Sequence, residues 1–278
     1  MQLISPRTII LRFFQFVPKR ILFLLTSLTF FSIGFFLILV KGEGTTITYN
    51  LLVSLLPLFM LLLSLSFGIR KQNLFKIVLM PSLLVISSYL LLSFFPNLNT
   101  FFKFSFIVFT SLVLYFMLLS LNVFLVVEEK GSTIPLIRPA RTTFLLLEIY
   151  TFFLFVTSLY KVLLPDPLTE ATFLFQFTLV FLITYFFAQA YWWSQNLESD
   201  ISSFVGNESL TVAFFVLVIA ISLSFFSTES FFRALSLVAT YYVSINFIES
   251  VVTHKFIKSQ YWEYFLITLL IILFLILE

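Results

Sequence analysis

The stretch PARTTFLLLEIYTFF, residues 139–153, holds one basic residue near its start, a long run of apolar and aromatic side chains, and a single acid, Glu148. An apolar run of this kind belongs to a lipid-facing helix, and there a carboxylate is costly. Three readings explain the acid. Arg141, seven residues earlier, snorkels back to pair with it. Alternatively, the carboxyl holds a proton and stays neutral, or it lines a wet cavity open to the cytoplasm.

The rest of the chain agrees with a membrane setting. Of 278 residues, 60% are hydrophobic and only 10% charged, against about 25% in soluble domains. The mean hydropathy is +1.10 and phenylalanine alone occurs 41 times. The composition therefore specifies an all-α integral membrane protein. There are no cysteines and a single histidine, His254. Disulfides, thiolate zinc sites, cysteine nucleophiles and multi-histidine metal sites are excluded, and no cofactor is expected. The net charge of +3 comes from bases in short loops, so nucleic acid is not an expected partner. The lipid bilayer is one, and another membrane protein is the other.

A span needs about 20 apolar residues. Nine segments qualify, at 21–40, 50–69, 77–95, 104–127, 142–164, 173–193, 209–227, 231–252 and 262–277. Residues 1–20 read as an interfacial amphipathic segment rather than a cleaved leader. Arg7, Arg12, Lys19, Arg20, Arg70, Lys71, Lys76, Lys130, Arg138, Arg141, Lys255 and Lys258 fall on one side. Lys41, Lys103, Lys161 and Arg233 fall on the other. The positive-inside rule then places the N-terminus in the cytoplasm and the C-terminus outside, in the cell membrane. Lys161 and Arg233 are expected to snorkel at the outer boundary. The sixth loop, 194–208, departs from the rule with Glu198, Asp200 and Glu208 and no base.

The opening stretch also has a relative within the chain. PKRILFLLTSLTFF, residues 18–31, shares its Pro-x-Arg, its Phe-Leu-Leu and its Thr-Phe-Phe. The tripeptide QNL at Gln72–Leu74 recurs at Gln195–Leu197. SLNVFLVVEEK, 120–130, resembles SINFIESVVTHK, 244–255. The turns FFPNLNTFFK, 94–103, and FFSTESFFR, 225–233, match loosely. Ordered matches at nearly one offset suggest two four-helix repeats, 21–128 and 129–253, followed by a loop and C-terminal helix at 254–278. Four spans is an even number, so both halves share one orientation. Chance matching in a Phe/Leu/Ser-rich chain is the plain alternative. In the first half Thr26 and Ser27 stand near the place of Glu148, and Phe124 or Leu125 stands opposite Glu249.

Polar residues cluster toward the inner ends of the spans. Asn122, Glu148, Gln189, Asn246 and Glu249 lie three to six residues inside them, about 5–10 Å deep. Tyr242, Asn246, Glu249 and Thr253 follow a 4–3–4 spacing and share a helix face. They are candidates for a polar cavity around Glu148, or else glue between helices. Glu249 is near His254 and Lys255, which offers local charge balance. Pro57 and Pro81 lie within spans and mark potential kinks. Tyr191, Trp192 and Trp193 read as an interfacial aromatic belt, or as a docking flank for a partner.

Catalytic signatures are missing. There is no GxSxG, HExxH or P-loop. Glu128-Glu129 is similar to the paired glutamates of membrane-embedded prenyl-protein proteases, but no histidine pair follows, and it reads as the start of a solvated loop. The nine-span layout, orientation and duplication resemble those of intramembrane aromatic prenyltransferases. That resemblance implies Asp-rich motifs in the second and sixth loops holding magnesium and diphosphate. Here the second loop, GIRKQNLFK, has no acid, and the sixth supplies only Glu198 and Asp200, weak candidates for a metal or a headgroup. No metal site is expected. Three functions remain in order of preference. The first is a non-enzymatic scaffold or assembly subunit, the second a carrier or channel for a small or lipidic solute, and the third a lipid-modifying enzyme.

Overall fold

The computed structural model describes residues 18–40, 47–65, 74–94, 98–130, 135–162, 170–195, 197, 203–226, 229–253, 262–267 and 269. The described chain is helical throughout, without strands. Its long helices are α1 (Lys19–Val40), α2 (Ile47–Leu65), α3 (Leu74–Phe94), α4 (Thr100–Lys130), α5 (Ile137–Val162), α6 (Glu170–Gln195), α7 (Ser203–Leu223) and α8 (Ser230–Val252). Seven of the eight are long and apolar enough to cross a bilayer; α2 has a shorter apolar stretch, Tyr49–Leu65. The protein is thus a multi-pass helical membrane protein. Most of the expected amphipathic segment and most of the ninth span lie outside the described residues; 262–267 is helical.

Two helices begin furthest ahead of their apolar runs. α5 starts at Ile137, ahead of the expected 142, and takes Pro139 into its first turn. Proline is tolerated there because a first-turn N–H has no acceptor within the helix. α7 starts at Ser203, so Glu208 lies inside a helix and not in a loop. Both shifts have one cause: a membrane helix extends past the hydrocarbon wherever polar residues can stay helical in the interface. Pro57 and Pro81 do not end their helices; α2 and α3 run through them.

The chain divides into two compact units, 1–147 and 148–278. In the first, α1 packs most closely on α4, and α2 on both α1 and α3. Small residues allow the α1–α4 approach. Ser27 Oγ donates to the Ser111 carbonyl at 2.7 Å, and seven residues on, Gly34 lies against Ile107. Phe30 and Tyr89 stack at 4.9 Å, and the Tyr89 hydroxyl donates to the Phe30 carbonyl at 2.7 Å. Asn50 of α2 donates to the Tyr89 carbonyl and to Ser93 on α3. These contacts of the first unit are made by neutral groups: hydroxyls, one amide and backbone carbonyls.

In the second unit α7 packs against α6 and α8. The C-terminal half of α5 meets its neighbours through large side chains. Phe152 lies 4.9 Å from the Tyr241 ring on α8 and 5.5 Å from the Phe187 ring on α6, and Phe153 meets Phe231 edge-on. Arg233 does not snorkel as expected. Only 9% exposed, it donates from Nη2 to the Phe226 carbonyl at 2.8 Å and lies over the Tyr160 ring. The guanidinium thereby ties the α7–α8 turn to α8, and stacks on an aromatic face. Lys161 is exposed, as a snorkelling lysine should be.

Candidate functional site

Glu148 is the twelfth residue of α5, roughly 16 Å from the start of the helix. It is completely buried. Helical spacing puts it on one face with Phe144, Phe152 and Val156, all fully or nearly fully buried. Its Oε1 accepts a hydrogen bond from the Tyr241 hydroxyl on α8, and its Oε2 accepts none. Arg141 is not its partner, and among the described residues no cation acts on it.

A second acid–phenol pair lies on the next helix over. Tyr191, 3% exposed on α6, donates to Glu249 Oε2 on α8 at 2.5 Å. Eight residues separate Tyr241 from Glu249 on α8, about 12 Å along its axis. The two bonds are separate acid–phenol pairs that share α8. Tyr242, beside Tyr241 on α8, donates to Glu263 Oε1 at 2.7 Å.

The other expected residues have separate roles. Asn246 Nδ2 donates to the Tyr242 carbonyl at 2.8 Å, within its own helix, so it glues no helix pair by that bond. Gln189 is buried on α6. Asn122 is half-buried on α4 in the first unit, and its Oδ1 accepts no hydrogen bond. Glu198, Asp200 and His254 lie outside the described residues. No group of three or more His, Asp or Glu capable of holding a metal occurs among the described residues. Glu208 is buried in α7, with neither carboxylate oxygen hydrogen-bonded.

Sequence reasoning missed Tyr241 and misread Tyr191. Tyr241 lies 93 residues from Glu148 and adjoins Tyr242, which shares the polar face of α8. The sequence signal was the 3–4 spacing of apolar positions through Tyr241, which marks the buried face of α8. Tyr191, Trp192 and Trp193 are not an interfacial belt or an exposed flank: they are 3%, 5% and 5% exposed. Aromatics at a span's end face lipid or protein with equal ease, and only the neighbouring helices decide which.

Substituting Tyr241 with phenylalanine should cost about 1–2 kcal/mol, the upper range for a hydrogen bond between membrane helices. The cost is high because the second carboxylate oxygen already lacks a partner. Thermal unfolding of the two proteins in detergent checks it. The double variant with Glu148→Gln should recover part of the loss.

Comparison with family models, with curated proteins and with solved structures returns no match for this chain.

Proposed function

We propose that the chain is a non-enzymatic polytopic membrane protein, a scaffold or a subunit of a larger membrane assembly. The observation that carries this reading is the complete burial of Glu148 against Tyr241. The acid was the main sequence argument for a solute pathway, and a pathway requires that water reach it. Its complete burial and the hydrogen bond from Tyr241 favour a role in joining helices.

The layout belongs to the same proposal. Nine spans, with the N-terminus in the cytoplasm of a cell membrane and the C-terminus outside, form two four-helix repeats and a final helix. Burial supports the repeat. Leu22, Thr26, Phe30, Gly34 and Leu37 form the buried face of α1, and 122 positions on stand Phe144, Glu148, Phe152, Val156 and Leu159, all buried. On α4, Thr110, Val113, Met117, Leu121 and Phe124 are buried, and 124 positions on stand Ala234, Leu237, Tyr241, Ile245 and Ile248, likewise buried. In this register Glu148 takes the place of Thr26 and Tyr241 that of Met117.

The partners are lipid and another membrane protein. Phe101, Phe102, Phe109 and Phe116 leave an aromatic flank of α4 outward, suited to acyl chains or to a partner's helix. The carrier reading stays second, favoured by the two acid–phenol pairs. The enzyme reading, with Glu198 and Asp200 and a prenyltransferase-like layout, has no converging site in its support.

Native electrophoresis of the chain, extracted at its natural level into lipid nanodiscs, tests the proposal. A complex of fixed stoichiometry larger than the chain is expected. Purified protein in liposomes should carry no solute or proton flux above protein-free controls. A flux that disappears in Glu148→Gln would replace the scaffold reading with the carrier.

A further inference from the structure

We propose that the cavity where α1 and α3 end and α4 begins binds the phosphate group of an anionic phospholipid, held by Lys103 and Thr100. The inference deepens the lipid partnership proposed above and rests on it.

The cavity has a volume of about 100 Å³. It is lined by Leu37 and Ile38 of α1, Leu92 of α3, and Thr100 and Lys103 of α4. At about 30 Å³ per water it has room for roughly three waters. A phosphate group fits such a space; a sugar does not.

The lining is divided in kind. Leu37 and Leu92 are buried and Ile38 half-buried, and together they make an aliphatic wall. Lys103 brings an ammonium and Thr100 a hydroxyl, and none of the five residues is an acid. An ammonium carries three donors and a full charge, which suit the oxygens of a phosphate. Thr100 is the first residue of α4, so the positive end of the helix dipole adds to the charge of Lys103. The ligand that matches both parts is an amphiphile with an anionic head.

The position agrees with a lipid. Three helix ends meet the cavity, at the level where a bilayer places its headgroups. Farther along α4, Phe109, Leu112 and Phe116 are exposed. They offer an apolar surface for the acyl chains of a lipid whose phosphate lies in the cavity.

The second unit treats a base at this end differently. In the repeat register proposed above, Tyr160 stands 122 positions on from Ile38. Its ring lies under Arg233, the fourth residue of α8, whose guanidinium also donates to the Phe226 carbonyl. Lys103 is the fourth residue of α4. The protein itself thus supplies Arg233 with an aromatic face and an oxygen acceptor. Ile38 has no ring to offer, and Lys103 lines a cavity. Anionic oxygens from a lipid supply there what Tyr160 and a carbonyl supply to Arg233.

Native mass spectrometry of the full chain in phosphatidylcholine nanodiscs, with rising fractions of phosphatidic acid, tests this. Phosphatidic acid is the probe because its head is a bare phosphate. The wild type should retain one phosphatidic acid per chain. Lys103→Gln and Ile38→Phe should each weaken retention by about tenfold, the first by removing a charged hydrogen bond and the second by filling the cavity. Lys103→Arg should restore most of it. Lys161→Gln, which alters an exposed lysine of the second unit, should leave it unchanged. Equal losses in Lys103→Gln and Lys161→Gln would reduce the effect to general surface charge and overturn the site. Retention by Ile38→Phe equal to the wild type would overturn it as well. Inorganic phosphate that displaces phosphatidic acid at equal concentration would assign the cavity to the free ion and overturn the lipid assignment. A chain that enters nanodiscs without preferring phosphatidic acid to phosphatidylcholine overturns this site alone. A chain that enters no lipid overturns the lipid partnership itself. Should Lys103→Gln fail to fold, the comparison of Ile38→Phe with the wild type decides.

Discussion

Replacing Phe152 with alanine should destabilise the protein by about 3–5 kcal/mol, the largest loss expected from any single truncation in the second unit. Phe152 is fully buried and its ring meets two others, Tyr241 on α8 and Phe187 on α6. Three helices thus depend on one side chain. In a bilayer apolar burial hardly drives helices together, because lipid tails are as apolar as leucine; dispersion contacts and interhelical hydrogen bonds hold them. Loss of the ring forfeits those contacts and frees the Tyr241 ring to move, which loosens its bond to Glu148. Backbone approach cannot make up the difference, since this half of α5 meets its neighbours through large side chains. Denaturant titration of helix content in mixed micelles measures the loss. Phe152→Leu, which keeps most of the volume, should cost roughly 1 kcal/mol. A loss below about 1 kcal/mol for the alanine variant would mean that the three-helix junction is not built around this ring.

Leucine at Gly34 should cost about 3 kcal/mol and separate α1 from α4. A Cβ there would lie 2.7 Å from Ile107 Cδ1, 2.9 Å from Cγ2 and 3.2 Å from Cγ1. Ile107 cannot turn aside freely, because a β-branched side chain in a helix has essentially one rotamer. The helices must therefore part, and the nearby bond from Ser27 to the Ser111 carbonyl would stretch with them. Alanine at Gly34 should cost less, about 1–2 kcal/mol, since helix propensity returns part of the steric loss. Shortening the opposing residue is the decisive control. Gly34→Leu combined with Ile107→Ala should recover most of the stability, with a coupling energy of about 1–3 kcal/mol. Additive losses in that double variant would show that the strain lies elsewhere.

Which helices exist was largely legible, because a bilayer demands runs of apolar residues about 20 long and loops are where such runs stop. Their ends were less so. Ile137 and Ser203 begin helices several residues before the apolar runs, and hydropathy does not register a helix that continues through polar residues. The place of Glu148 among buried residues was legible from its apolar context; its partner was not. Arg141 was the nearest opposite charge in sequence, yet the bond comes from a neutral hydroxyl 93 residues away. Arg233 was misjudged in the same way. An arginine near a span's end can snorkel, but here a free carbonyl at Phe226 and the ring of Tyr160 offered a better seat.

Composition and hydropathy alone determined that this is a multi-pass helical membrane protein without cysteine or multi-histidine chemistry, and that Glu148 is an acid out of place. They could do so because the solvent imposes those requirements on every residue of a span separately. Only the tertiary structure decided what Glu148 touches, that Tyr191, Trp192 and Trp193 face protein, and that Tyr191 meets Glu249. A membrane helix that is apolar on every side carries little amphipathic signal to say which face turns inward. The choice rests on the shapes and hydrogen bonds of helices far away in sequence, and those are set only when the bundle closes.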